Sequence, residues 1–189
     1  MFAPDLGPIF HRLADVLERT GESEENNVYL VGLGGVDVNF KIRDARLEVK
    51  RLVAFDHGLE QWRPDAPACF PLSPAALAAA TGREADTDLD LPGFMRRVLR
   101  PSGPANAVHV LKRRTHHEGE GVLGETCRLV VNGAHLESVA TEGEDPRRVG
   151  AVLAALGLDA AQNTGDPNTS YPRALAWLTG TLRLPPDSP

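Results

Sequence analysis

Cysteine is nearly absent from the sequence, since Cys69 and Cys127 are the only two among 189 residues. Two thiols so far apart along the chain give neither a disulfide framework nor a Cys-x-x-Cys metal motif. We expect one loop cysteine and one strand cysteine without a chemical role. This usage is typical of a reducing compartment, and a cytoplasmic location is the prediction.

A positive net charge and a long hydrophobic run are also missing. The formal charge is -6 at pH 7 and the pI is near 5.5, which disfavours nucleic acid and anionic lipid as partners because both attract a net positive face. No apolar run approaches the roughly 20 residues of a membrane span, and residues 1–12 lack the pattern of a signal peptide. We therefore expect no nucleic-acid or membrane partner, and any anion site must be local.

The rest of the composition is that of an ordinary globular protein, with 42% hydrophobic and 24% charged residues. The length suits one domain with a sizeable core. We predict a single domain over residues 1–184, followed by a proline-rich tail over 185–189.

Apolar periodicity and capping signals predict helices over residues 6–21, 74–82, 91–99, 146–157 and 172–178. Period-two alternation predicts strands over residues 28–33, 36–43, 47–53, 108–115, 125–131 and 135–141. Residues 22–27 are polar and are interpreted as a solvated turn. Turn signals around residue 44 and at Asn132-Gly133 predict hairpins. The sequence thus predicts an α+β fold with an antiparallel sheet.

The cations on the predicted strands are the most unusual feature. The chain has 17 arginines and only three lysines, yet each lysine lies on a predicted strand beside an arginine. The groups are Lys41 with Arg43, Lys50 with Arg51, and Lys112 with Arg113 and Arg114. Because burying an unpaired ammonium costs several kcal/mol, these strands face either water or a wet interior, and both interpretations stay open.

Carboxylates on neighbouring strands favour the second interpretation. Glu48 alternates with Lys50, while Glu125, Glu142 and Glu144 accompany the later strands. A closed barrel with both signs inside would offer carboxylates to a divalent cation and cations to a polyphosphate. His116 and His117 point to opposite strand faces, and together with His109 they are interpreted as solvated edge residues, not metal ligands.

Four fragments resemble the CYTH superfamily, the triphosphate tunnel metalloenzymes. They are VDVNFKIRDARLEVKRLV (36–53), AVHVLKRRTHH (107–117), ETCRLVVNGAHLESVATEGEDPRRVGAVLAALGL (125–158) and SYPRAL (170–175). Together they cover about half of the chain in the family's order. The family's N-terminal ExExK strand does not occur in this sequence, so we expect either a start that lies further upstream or a divergent member that has lost half of the metal site.

The resemblance implies an antiparallel eight-stranded tunnel with peripheral helices that binds a triphosphate-bearing or other phosphorylated small molecule. Carried over by position, the phosphate-binding candidates are Lys41, Arg43, Lys50, Lys112 and Arg114. The candidate ligands of Mg²⁺ or Mn²⁺ are Glu125, Glu142 and Glu144. By strand parity, Arg51 and Arg113 point the other way and are second choices.

Three functions remain open at this point. The chain is a metal-dependent triphosphatase-like phosphohydrolase, or a catalytically inactive domain that binds phosphate or nucleotide, or a protein-interaction domain. The third function predicts that all three lysines face water.

Overall fold

The computed structural model describes residues 1–99, 105–158 and 171–179. Its helices are α1 (Gly7–Val16), α2 (Pro74–Thr81), α3 (Leu91–Val98), α4 (Pro146–Ala155) and α5 (Tyr171–Leu178). Its strands are β1 (Phe2–Ala3), β2 (Glu18–Val31), β3 (Val38–Arg43), β4 (Arg46–Asp56), β5 (Leu59–Pro64), β6 (Ala68–Cys69), β7 (Asn106–Gly119), β8 (Val122–Val131) and β9 (Ala134–Gly143). The α+β class is confirmed.

These elements form two compact units. Unit 1 contains residues 1–26, 54–61 and 110–158, and unit 2 contains residues 27–53, 62–99, 105–109 and 171–179. The single domain over residues 1–184 stays a prediction. The tail over 185–189 lies outside the described residues.

In unit 1, strand β9 pairs antiparallel with β1 and β8, and β8 pairs antiparallel with β7. Alternation along these strands separates two faces. Helices α1 and α4 pack on the face that carries Val122 and Val139. The buried core of this unit is Leu6, Leu13, Leu17, Val122, Val139, Val149, Val152 and Leu156.

Gly124 permits the close approach of α1 to β8. A Cβ atom at this position would lie 2.7 Å from Cδ1 of Leu17 and 3.3 Å from Cδ1 of Leu13. Carbon atoms in contact are normally separated by about 3.5–4.0 Å. The missing side chain therefore makes room for the two leucines, which are almost completely buried.

In unit 2, strand β3 pairs antiparallel with β2 and β4, and β4 also pairs with β6. One face of the β3–β4 hairpin is apolar and packs with residues of α2 and α3. The buried core of this unit is Leu30, Phe40, Ile42, Leu47, Val49, Leu72, Leu77, Phe94 and Val98. The antiparallel pairing that the sequence predicts is confirmed in both units.

Three of the predicted helices begin at side-chain caps. Ser73 accepts a hydrogen bond from the Ala76 N–H at 3.2 Å, Asp90 from the Gly93 N–H at 2.7 Å, and Asp145 from an N–H in the first turn of α4. Each helix has a proline at its first or second position, where the missing N–H has no intrahelical partner to lose. The predictions for α2, α3 and α4 are confirmed.

Both predicted hairpins have two-residue turns. Asn132 and Gly133 have φ angles of 47° and 90°, and Asp44 and Ala45 have φ angles of 49° and 55°. Positive φ at both central positions defines the turn type whose twist matches antiparallel strands. Ala45 is unusual there, since left-handed backbone costs a residue with a Cβ roughly 1–2 kcal/mol.

The first helix is present as predicted, but its end and the polar turn after it were predicted wrongly. Helix α1 ends at Val16, and β2 begins at Glu18 and continues through the polar residues 22–27. This stretch alternates exposed and half-buried positions, but both faces are polar, so a hydrophobicity pattern does not reveal the alternation.

In the ranges that the structure covers, none of the helices is both long and apolar enough to span a lipid bilayer.

Candidate functional site

The polar face of the β3–β4 hairpin carries most of the predicted phosphate-binding residues. Residues directly opposite each other share a face of the sheet, and the register pairs Asn39 with Lys50, Lys41 with Glu48, and Arg43 with Arg46. We call these residues the cationic hairpin face: Asn39, Lys41, Arg43, Arg46, Glu48 and Lys50. It brings four cations and one carboxylate together within unit 2.

Glu48 lies between two of these cations. Its Oε2 is 2.7 Å from Lys41 Nζ, and its Oε1 is 3.0 Å from Arg43 Nε and 2.9 Å from an Arg43 terminal nitrogen. The Lys41 side chain is only 16% exposed and that of Glu48 is 23% exposed. The two cations thus share one half-buried anion.

The electrostatics of Glu48 follow from this geometry. Burial alone would raise the pKa of the Glu48 carboxyl, but the hydrogen bonds and charges of Lys41 and Arg43 outweigh burial. They hold the pKa below its ordinary value of 4.5. Glu48 is therefore ionised at neutral pH, and its ionised form stabilises the fold.

Replacing Glu48 by Gln is expected to flatten the acid limb of the stability profile. Because the folded-state pKa is lower than the unfolded one, Glu48 contributes stability above about pH 4.5, and this stability is lost as the pH falls through the folded-state pKa. Urea unfolding between pH 3 and 7 measures the difference. Glu24→Gln, which changes an exposed carboxylate paired with Arg113, is the control and should keep the wild-type slope. Equal slopes for wild type and Glu48→Gln would contradict the expectation.

The remaining cations of this face are more exposed. Arg46 and Lys50 both lie at the surface, and Arg46 is directly opposite Arg43. Like charges directly opposite each other destabilise a strand pair. The face therefore has an excess of positive charge that Glu48 alone does not neutralise.

Arg51 lies on the opposite, apolar face of the hairpin, as strand parity predicts. It donates hydrogen bonds to Asp65 at 2.9 Å and to the carbonyl oxygens of Ala79 and Ala80 at 3.3 and 2.9 Å. A groove of about 920 Å³ adjoins these residues. Its strand wall includes Phe40, which is only 3% exposed. The strand wall of this groove is therefore hydrophobic core, and Arg51 acts as a structural residue.

In unit 1, Lys112, Arg114 and His116 share one face of β7 with Glu125 and Cys127 of β8. Lys112 is 2% exposed. Arg114 is 3.1 Å from a Glu25 oxygen and 3.4 Å from a Glu125 oxygen, with a side chain only 14% exposed. The structure thus places the Arg114 guanidinium between two carboxylates.

Arg113 points to the other face of β7, opposite Arg128. Its side chain is 70% exposed and pairs with Glu24 at 2.7 Å. The parity argument that made Arg113 a second choice is confirmed.

His109 is exposed, but His116 and His117 are not solvated edge residues, so that prediction was wrong for these two. His116 Nε2 lies 2.7 Å from the Ser23 hydroxyl, and His117 is 4% exposed. Burial, with smaller contributions from Arg19 and His116, lowers the pKa of His117 below its ordinary value of 6.5, and a backbone hydrogen bond at Leu17 opposes this only in part. The two rings do point to opposite faces, because the register pairs His116 with Glu125 and His117 with Gly124.

Sequence reasoning missed Ser23 and Glu25 of β2 as neighbours of these side chains. Half-buried Ser23 and Glu25 alternate with exposed Glu22, Glu24 and Asn26. This period of two was the available signal, although it has no apolar residues to mark it. A strand assignment for residues 22–27 would have put Ser23 and Glu25 on one face of the strand.

The three candidate metal ligands lie in different surroundings. Glu125 pairs with Arg114, Glu142 is exposed on β9, and Glu144 is exposed just after β9 ends. In the described part of the chain, no three His, Cys, Asp or Glu side chains are close enough to share a metal ion. As described, these glutamates do not fit a common divalent-cation site, and their role as metal ligands stays a prediction.

The SYPRAL fragment corresponds to the start of α5, apart from Ser170, which lies outside the described residues. The Tyr171 ring stacks on Tyr29 with centroids 5.5 Å apart and planes 6° apart. Arg173 is 7% exposed, with a guanidinium nitrogen 3.8 Å from Asp37. This fragment therefore contributes to the interior of unit 2.

Comparisons with known proteins give structural likeness only. No family model matches the sequence, and no curated protein matches it. Similar solved structures include the PH1012 protein of Pyrococcus horikoshii, with 14% identity, 83% of this chain and 87% of that chain covered, and a TM-score of 0.49. A conserved hypothetical protein of Pyrococcus furiosus has 16% identity, coverage of 83% and 88%, and a TM-score of 0.47. A candidate adenylate cyclase of Bacillus halodurans has 10% identity, coverage of 100% and 92%, and a TM-score of 0.47.

Proposed function

We propose that this chain binds a triphosphate-bearing or other phosphorylated small molecule on the cationic hairpin face. Lys41, Arg43 and Lys50 supply the main contacts, and Arg46 adds a fourth cation. The observation that carries the proposal is the concentration of four cations around one carboxylate, in a chain whose net charge is -6.

Charge balance supports a bound anion. Arg43 and Arg46 face each other directly, and an anion that contacts both would remove their repulsion. Ammonium and guanidinium groups are the side chains that bind phosphate oxygens best, through charge-assisted hydrogen bonds. Because the rest of the chain is acidic, a small ligand suits this surface better than a long polyanion.

Lys112 and Arg114 are proposed, for unit 1 taken by itself, as phosphate-binding residues. Arg114 already has two carboxylate neighbours, Glu25 and Glu125, so a ligand would have to compete for it. Lys112 is buried. The interaction-domain alternative required all three lysines to face water, and only Lys50 does so.

A metal-dependent phosphohydrolase is the second candidate. It is favoured by the resemblance of the four fragments to the CYTH superfamily, whose metal is Mg²⁺ or Mn²⁺. In that activity the chain's cations would neutralise negative charge on the phosphate groups. We rank binding first because the described glutamates do not assemble a shared site. The cytoplasmic location is likewise kept as a proposal.

Calorimetric titration of the full chain with inorganic tripolyphosphate, pyrophosphate and phosphate tests the proposal. With EDTA present, we expect affinity to rise with the number of phosphate groups and to fall with added salt. The same series with Mg²⁺ or Mn²⁺ and an assay for released phosphate tests the hydrolase. Binding without turnover would leave only the first function, and no binding at millimolar concentration of any of the three would reject both.

A further inference from the structure

The central carboxylate of the cationic hairpin face occupies the position that a ligand phosphate would need. Each Glu48 oxygen accepts from a different cation, Oε2 from Lys41 and Oε1 from Arg43, at 2.7 to 3.0 Å. We propose that Glu48 is an internal occupant of the anion site, which an incoming phosphate displaces, and that it thereby selects ligands with several adjacent negative charges. This inference rests on the proposed function.

The chemistry of the exchange is simple, because carboxylate and phosphate oxygens accept the same hydrogen bonds from ammonium and guanidinium groups. While Glu48 remains in place, its charge lies within 3.0 Å of nitrogen atoms of both cations and repels any anion that approaches them. Because these side chains are only partly exposed, water screens the interaction incompletely. Glu48 therefore lowers the affinity for every anion that contacts Lys41 and Arg43.

The affinity that remains after this cost differs between ligands. A single phosphate only replaces the carboxylate of Glu48 by another anion, so it gains little binding free energy. Arg46 and Lys50 flank Glu48 on β4. Their Cα atoms are about 13 Å apart, since a strand rises about 3.3 Å per residue. A chain of phosphates can displace Glu48 and also reach one of these flanking cations. The extra contact offsets the loss of the Glu48 pair, so the face prefers polyphosphates.

The opposite role for Glu48 is that of a fixed support, which stays in place and orients Lys41 and Arg43 toward the ligand. The two roles predict opposite effects of removing the charge. If Glu48 is a support, Glu48→Gln weakens binding because the cations lose their orientation. If it is an internal occupant, the same variant strengthens binding.

The test compares wild type, Glu48→Gln and Asp65→Asn in calorimetric titrations with tripolyphosphate and phosphate at pH 7 with EDTA. We expect Glu48→Gln to bind both tripolyphosphate and phosphate at least tenfold more tightly, because neither ligand then has a carboxylate to displace. Asp65→Asn is a matched control, because Asp65 likewise pairs with an arginine of the hairpin, Arg51 of β4, and its side chain is 30% exposed, but it lies on the opposite face. Its affinities should remain within threefold of wild type.

The outcomes separate this inference from the proposed function. Wild-type binding with an equal or weaker Glu48→Gln variant would overturn the internal occupant and leave the function intact. Absence of binding in both proteins would overturn both, whereas binding by Glu48→Gln alone would support an especially strong internal occupant. Circular dichroism verifies that the variant is folded. If it is not, Glu48→Asp, whose shorter carboxylate reaches the two cations less well, should still show about a threefold gain, and no gain would count against the inference.

Discussion

Replacing Lys41 by Glu should lower the affinity for tripolyphosphate at least 100-fold. The substitution removes one charge-assisted contact, worth about 1.5–3 kcal/mol, and places a second carboxylate opposite Glu48. Each 1.4 kcal/mol corresponds to a factor of ten in affinity, so about 3 kcal/mol is lost. Calorimetric titration at low salt measures the change, and an affinity within threefold of wild type would remove Lys41 from the site.

Two further variants distinguish a specific loss of binding from a loss of folding. Arg113→Glu makes the same reversal of charge on an exposed side chain of unit 1 and should bind normally. The double variant Lys41→Glu/Glu48→Lys restores an opposite-charge pair across the strands. Its melting temperature should recover most of the loss seen in Lys41→Glu. A melting temperature that stays low would mean that the pair is not exchangeable in this position.

Replacing Phe94 by Ala should destabilise the protein by about 3–5 kcal/mol, the usual cost of deleting a buried aromatic ring. Phe94 is completely buried in the core of unit 2, and its ring centroid is 5.4 Å from that of Phe70. The loss is a large part of the stability of an ordinary domain. Urea unfolding at pH 7 gives the value.

Phe55→Ala is the matched control, because Phe55 is 49% exposed on β4. We expect it to cost less than about 1 kcal/mol, since little apolar area returns to water. Comparable losses for the two alanine variants would mean that Phe94 does not form part of a packed core.

Most elements of the fold could be predicted where the sequence carries a local signal. The β3–β4 hairpin has a clear apolar face of Phe40, Ile42, Leu47 and Val49, and Asn132-Gly133 is a strong turn signal. Strand β2 was misread because its first half is polar on both sides. The short strands β1 and β6 have two residues each, too few for any period to appear.

In the candidate site, too, some features could be predicted from the sequence and others could not. Parity along β3 and β4 correctly separated Lys41, Arg43 and Lys50 from Arg51, because it depends only on neighbours in the chain. The contact of Arg114 with Glu25 was missed, because Glu25 belongs to a strand that was interpreted as a turn. The burial of His117 could not be predicted from the sequence either, because it depends on packing with α1 and on the missing side chain of Gly124.

The division of the chain into two units has a practical consequence for expression. Each unit is assembled from separate stretches of sequence, and the path of the chain returns to each more than once. Neither can be produced by choosing a single start and stop codon. Isolating one of them would require rearranging the gene, with new joints in place of the natural connections.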